Sequence, residues 1–345
     1  MSQHPRPSNT PPPSALIMTQ MVYGFWVSRC LQIMAELGIA DTIGDDPKTV
    51  EELAAASGTH APSLRRMLRL LSGLGVLVKD EGTQRWGLTE LGAMLRKDNP
   101  GSVYGSLRAH GHLLSWQAWG DLKTSLETGL PSVEKFMGTS FFNYMSTHPE
   151  DAAIFNGSMA AYQTLNAPAV VNAYDFSSAK RIMDVGGGTG TLMSHILGAH
   201  PLARGTIFEM PHVAKEARER LASMNLADRC DVVDGDFFAS IPPGQDIYIL
   251  SQILHDWDDG KAQRILTNIR EAMRPDSRLL IVETVLPGDN AMHFGNLYDM
   301  AMLVLVGGQE RTEAEYAELL RKAGLKIARI SPTTMPPSVV EVVPA

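Results

Sequence analysis

RIMDVGGGTGTLMSHIL, residues 181–197, sets an apolar run carrying one aspartate against four glycines and then against the start of a helix. A strand that ends in glycine and turns into a helix brings backbone close to a ligand at the carboxyl edge of a sheet, where doubly wound folds bind their cofactors. Spacing narrows the ligand. Dinucleotide loops read G-x-G-x-x-G and aim amides at a pyrophosphate. Here Gly186, Gly188 and Gly190 give G-x-G-x-G, Thr191 stands where the last dinucleotide glycine would be, and Asp184 lies inside the strand. A carboxylate there repels a pyrophosphate and suits, through the loop, a ligand bearing an ammonium group. S-adenosylmethionine (SAM), with adenosine, an amino acid and a sulfonium but no phosphate, has that chemistry.

Around this loop the pattern alternates. RGTIFEM, CDVVDGD, DIYILSQIL and RLLIVETV read as further strands, and AKEARERLASM, KAQRILTNIREAM and EAEYAELLRKAG as helices. Such alternation predicts a parallel sheet with helices on both faces, a Rossmann-like α/β domain over residues 179–345. Acids recur at its strand ends. Glu209 closes the second strand, where a carboxylate takes both ribose hydroxyls. Gly235, Asp236 and Phe237 close the third, an acid for the adenine amino group beside an aromatic wall.

Upstream, TVEELAAASGTHAPSLRRMLRLLSGLGVLVKDEGTQRWGLTELG predicts helix, turn, helix and β-hairpin, a winged helix within a domain over residues 15–102. Thr49 and Glu52 form a capping box, Gly58 ends the first helix, and Leu64, Met67, Leu68 and Leu71 line one face of the second. Winged helices often read DNA with that second helix. Arg65, Arg66 and Arg69 on it are offset by acids between Asp45 and Asp98, so the segment is about neutral and reads as a dimerisation and packing module. Residues 103–178, amphipathic and aromatic, read as a helical linker and capping layer, and the proline-rich residues 1–14 as a disordered tail.

Composition bounds the function. The 345 residues are 44% hydrophobic and 20% charged with a net charge of −8, globular material without the basic face a nucleic-acid partner requires. No apolar run is long enough to span a bilayer, so no membrane partner is expected. Two cysteines, Cys30 and Cys230, are too few for a disulfide framework and match a cytoplasmic location.

A base is expected at the same sheet edge. His255, in ILHDWDD just past the fourth strand, has the ordinary pKa of about 6.5 that leaves histidine a neutral base near neutrality. Glu283, closing the fifth strand, and Glu310, in GGQERT, are placed to accept its other N–H and fix ring and tautomer.

The winged-helix half, with DVGGGTG, GDFF, LHDWDD, IVETVLP, DMAML and GGQERTEAEYAELLRKAG in order, resembles the SAM-dependent O-methyltransferases that include plant caffeate and flavonoid enzymes and bacterial polyketide, phenazine and carotenoid enzymes. The resemblance implies a swapped homodimer built through the N-terminal halves and SAM in the C-terminal domain. S-adenosylhomocysteine would be the product, with no metal. It implies His255 as base flanked by Glu283 and Glu310, and Gly187 and Ser251 at the cofactor beside Glu209, Asp236 and Phe237. Ser251 stands where the plant pattern has lysine and matches the bacterial branch. Phe155, Met159 and Met302 match positions that wall a flat aromatic acceptor, with Asp299 at a polar substituent. The expected activity is methylation of a hydroxyl on a small aromatic or polyketide-like metabolite. The alternatives are another SAM-assisted step, such as hydroxylation, decarboxylation or a pericyclic reaction, and a winged-helix regulator that senses a small molecule.

Overall fold

The computed structural model describes residues 13–289 and 291–345, so the greater part of the expected tail, residues 1–12, lies outside the described residues. Ser14 already opens a 23-residue helix, Ser14–Glu36. Contacts divide the chain into two compact units, one ending at Gly111 and the other beginning at His112. The expected boundary after residue 102 therefore falls short of the division. The Tyr104–Gly111 helix stays with the first unit because it lies against Ser14–Glu36: a β-carbon on Gly111 would stand 3.0 Å from Gln32 Cβ, and Arg29 Nη1 donates to Gly111 O at 2.9 Å.

In the first unit the winged-helix order is present. Thr49 and Glu52 cap Val50–Ser57 reciprocally and Gly58 ends it in the left-handed region. Ala61–Gly73 buries Leu64, Leu68 and Leu71, and strands β1 (Leu77–Lys79) and β2 (Trp86–Leu88) pair antiparallel. Ser14–Glu36 buries Met34 and Ala35 near its end but exposes Met18, Met21, Val22, Phe25 and Trp26 along its first half. A contiguous apolar stripe of this kind marks an interaction surface.

The second unit carries a seven-stranded sheet. β3 (Arg181–Val185), β4 (Arg204–Glu209), β5 (Cys230–Asp234), β6 (Ile247–Ser251) and β7 (Arg278–Glu283) are parallel. A short parallel pair, β8 (Val285–Leu286) and β9 (Arg311–Thr312), follows β7. β11 (Ser338–Pro344) pairs antiparallel with β7 and with the edge strand β10 (Leu325–Pro332), because the brief return between β10 and β11 makes a hairpin; β11 alone runs against the other strands of the sheet. Spatial order is β10-β11-β7-β6-β3-β4-β5, so the sheet is mixed where the sequence predicts a parallel one. Every residue of β6 is buried, Ile249 towards one helix layer and Leu250 towards the other, as a strand covered on both faces requires. The chain leaves β3 for β4 on one side and returns to β6 on the other. The crevice between β3 and β6 is thus the topological switch point, where such sheets bind ligands.

Candidate active site

At that point β3 gives way to a loop whose Gly186, Gly188 and Gly190 take φ of 72°, 55° and 80° before the Thr191–Ala199 helix. A β-carbon on Gly186 would stand 2.5 Å from Ile253 Cδ1 and one on Gly187 2.8 Å from the Asp184 side chain, whereas one on Gly188 meets nothing within 4 Å among the described residues. The loop is tight towards the protein and open at Gly188. Asp184 is 1% exposed, its Oδ1 has no hydrogen-bond partner among the described residues, and burial and the Glu209 charge push its carboxyl up to about 7. Glu209 accepts the Gly188 N–H at Oε2 (3.0 Å) and the Met210 N–H at Oε1 (2.8 Å), and burial raises its pKa. Gly235 donates to Glu209 O at 3.0 Å and lies where a β-carbon would stand 2.2 Å from the Phe208 ring. Asp236, exposed and two residues past the end of β5, accepts the Phe238 N–H, while Phe237 meets Phe238 and Trp257 edge-on. Ser251 Oγ, at the end of β6, accepts from Gln163 Nε2 at 3.0 Å.

Immediately after Ser251 the backbone turns sharply. Gln252 adopts φ 58°, a left-handed conformation unusual for a side-chain-bearing residue, and is held by N–H and Nε2 both donating to Val282 O at 3.1 Å. Leu254–Asp256 then forms one 3₁₀ turn that carries His255. Glu283, fully buried, accepts three amides of this turn at Oε1, from Ile253 (3.0 Å), Leu254 (2.6 Å) and His255 (3.3 Å), and the Tyr316 hydroxyl donates to its Oε2. It grips the backbone under the histidine, in place of the ring contact expected from the sequence. Glu310 takes the ring: His255 Nδ1 donates to its Oε1 at 2.8 Å. Nε2 lies 3.6 Å from Asp256 Oδ1. Burial pulls the imidazole down, but Asp256, then the bond to Glu310 and its charge, then Glu283 outweigh it and push His255 up to about 10. Burial also pushes Asp256 up to about 7 and raises Glu310. This upward shift departs from the ordinary histidine value expected from the sequence.

Of the expected acceptor residues, Phe155 and Met159 lie one turn apart on Pro149–Ala173, and Asp299 and Met302 one turn apart on Phe294–Leu305. Phe155 packs edge-on against Phe141, with ring centroids 4.9 Å apart, while Met159 is 36% exposed. Asp299 is engaged within the protein, where its Oδ1 accepts the Glu310 N–H at 3.0 Å and ties this helix to the carboxylate that holds His255. Tyr162, on the Met159 side of its helix, lies 6.0 Å from Tyr298 between centroids, and its buried hydroxyl has no partner among the described residues. Among the described residues no group of three or more His, Cys, Asp or Glu is arranged to hold a metal ion, and no helix is long and apolar enough to cross a membrane.

Residues 119–326 match the model of the O-methyltransferase domain and residues 19–98 that of the O-methyltransferase dimerisation domain. The chain belongs to the O-methyltransferase family. A phenazine O-methyltransferase of Lysobacter antibioticus is 45% identical over 332 residues, covering 96% of this chain and 97% of that one. The crystal structure of LaPhzM superposes with a TM-score of 0.92 at 44% identity over 97% of this chain and 100% of that one. NcsB1, an O-methyltransferase of neocarzinostatin biosynthesis held with S-adenosyl-L-homocysteine and 1,4-dihydroxy-2-naphthoic acid, gives a TM-score of 0.79 at 34% identity over 92% and 96%. Relatives include an 8-amino-8-demethylriboflavin N,N-dimethyltransferase of Streptomyces davaonensis, 35% identical over 89% of this chain and 88% of that one.

In this O-methyltransferase the neighbours that sequence reasoning misses are Gln163, Asp256, Arg311 and Tyr316. Asp256 adjoins the singled-out histidine and its acidity is a readable signal. Gln163, Arg311 and Tyr316 reach their partners across 88, 57 and 33 residues of chain, where no local spacing announces the contact.

Proposed function

We propose that this O-methyltransferase methylates a hydroxyl of a small aromatic metabolite, using SAM as methyl donor and His255 as general base, and works as a cytoplasmic homodimer. The observation that carries the reading is the buried His255–Glu310 pair standing one strand from a glycine loop with an unpartnered carboxylate beneath it.

The residues present fit SAM. Asp184, buried with a free Oδ1, and the open position at Gly188 suit an amino-acid portion carrying an ammonium. Glu209, at the end of the next strand, would take the ribose hydroxyls, and Asp236 with Phe237 the adenine. Gly186, Gly187 and Gly235 keep backbone near the ligand, and Ser251 with Gln163 closes the β6 side. When bound, SAM supplies an electrophilic methyl on its sulfonium together with its own leaving group.

The chain's part is to place the acceptor oxygen and take its proton. An aromatic hydroxyl has a pKa near 10. The carboxylates around His255 raise its basicity, which favours transfer of the acceptor proton to the neutral ring at Nε2, while Glu310 fixes the tautomer through Nδ1 and stabilises the imidazolium that forms. Phe155, Met159 and Met302 would line a flat ring. The helices Leu113–Gly120, Val133–Met137 and Phe141–Thr147 pack with Phe294–Leu305 around Ala118, Phe141 and Val304 as a layer over the acceptor side. The exposed stripe of Ser14–Glu36 is the surface a second copy would cover.

Titration calorimetry with S-adenosylhomocysteine and NAD tests the cofactor: binding of the first alone is expected, and binding of neither refutes it. A screen of hydroxylated phenazines and naphthoates for methyl ether and S-adenosylhomocysteine tests the reaction. His255→Ala should keep S-adenosylhomocysteine affinity and lower turnover by roughly 10²–10⁴. Consumption of SAM-bound acceptor without S-adenosylhomocysteine release would favour a non-transfer step.

A further inference from the structure

We infer that Arg311 is a positioning residue for the reaction: its buried guanidinium fixes the turn that presents His255 and so sets the ring's contact with Glu310. The inference rests on His255 acting as base.

Arg311 is 1% exposed and its donors fan out over one short piece of backbone. Nη1 donates to Leu254 O at 3.0 Å and Nη2 to Trp257 O at 3.0 Å, the carbonyls on either side of His255–Asp256. Nε and Nη2 also reach Asp259 Oδ1, at 3.1 and 2.9 Å, and Nη1 reaches Gln309 O at 3.4 Å. A single 3₁₀ turn leaves most of its carbonyls without regular partners, and a buried cation is tolerated when its hydrogen bonds are filled. Here each need meets the other.

The neighbouring residues make the contact directional. Gln309 N donates to His255 O at 2.9 Å, and a β-carbon on Gly308 would stand 1.9 Å from that same oxygen, so the 308–311 backbone lies directly against the turn. One segment therefore delivers an amide and a guanidinium to the carbonyls and the Glu310 carboxylate to Nδ1. Glu283 holds the amides from the opposite side. With both sides held, the imidazole stays fixed relative to Glu310. The charged groups facing it are Asp256 on its own turn, Glu283 from β7 and Glu310 beside Arg311.

Lysine at 311 keeps the charge but has one ammonium where the guanidinium spans two carbonyls. The readout is the titration midpoint of the His255 ring, followed by NMR in isotope-labelled full-length protein and assigned with His255→Asn. A merely structural arginine would leave that midpoint unmoved in a folded variant. Arg311→Lys should bring it down towards the ordinary histidine value, hold S-adenosylhomocysteine affinity within about twofold, and lower kcat at least tenfold with the acceptor found by the screen. A wild-type midpoint and wild-type kcat in folded Arg311→Lys overturn the inference. If Arg311→Lys does not fold, Asp259→Asn loosens the guanidinium from its exposed end, and a shift in the same direction supports the inference while no shift overturns it. Full turnover in His255→Ala would remove the base and leave the ring geometry to be judged by the midpoint alone, so the two readings fail separately.

Discussion

Replacing Glu310 by glutamine removes one charge from the His255 ring while keeping an oxygen able to accept its Nδ1–H. A hydrogen bond to a charged group is worth about 1.5–3 kcal/mol and a neutral one about 0.5–1.5. The difference, about 1–1.5 kcal/mol, corresponds to roughly one pH unit at 1.36 kcal/mol per unit. Because Glu310 is among the groups that raise the ring to about 10, and Asp256 and Glu283 remain, the midpoint should fall by about that unit and stay above the ordinary 6.5. The His255 resonance, followed by NMR against pH, reads this without any acceptor. With an acceptor, the acid limb of kcat should move to lower pH by the same interval while the plateau drops, since the ring is a weaker base in a looser seat. A midpoint unchanged in Glu310→Gln would show that the bond at 2.8 Å does not set the basicity of His255, and the mechanism argued from it would fall.

Other outcomes follow from the same geometry. His255, raised to about 10, adds stability that is complete below its unfolded value near 6.5 and is lost as pH rises through about 10; Asp184, raised to about 7, loses its contribution between about 4 and 7. Both have one sign, so the melting temperature of the ligand-free protein should decline from about pH 5 to about pH 9. Asp184→Asn should flatten the first part of that decline and raise the neutral-pH melting temperature by a few degrees while weakening S-adenosylhomocysteine binding; unchanged binding would remove Asp184 from the cofactor site. Gly308→Ala places a methyl where the His255 carbonyl oxygen stands and should lower kcat at least tenfold or prevent folding, whereas near-wild-type activity would contradict the close packing. Trp26→Asp, on the exposed stripe, should turn a dimer into a monomer in sedimentation; a dimer that survives it would place the interface elsewhere.

Much of this was legible in the chain because its causes are local. A strand, glycines and a helix start adjoin in sequence, so the loop and Asp184 at its foot are readable; the Thr49–Glu52 box and the Leu64, Leu68 and Leu71 stripe repeat at helical spacing. His255 and Glu310 were both singled out at one sheet edge, and the fold brings them together, Nδ1 to Oε1. The division of labour was not visible. Glu283 and Glu310 are identical side chains, and only the fold decides that one meets three amides and the other a ring nitrogen. Asp299, read as an acceptor contact, also accepts the Glu310 amide, a bond across 11 residues that the sequence does not announce. β10 and β11 lie outside the strands read from the sequence, and the reversed direction of β11 is set by the short return between them.

The bond from Glu310 N–H to Asp299 joins two parts that do different work. In the proposed mechanism Phe294–Leu305 presents Met302 to the acceptor, and the same helix steadies Glu310, the partner of His255. A bulkier ring that pushed this helix outward would draw the carboxylate with it and slacken its hold on the imidazole. On that mechanism choice of acceptor and strength of base are geared together, so remodelling the pocket wall for a new compound would change the acidity of the catalyst as well as the room available.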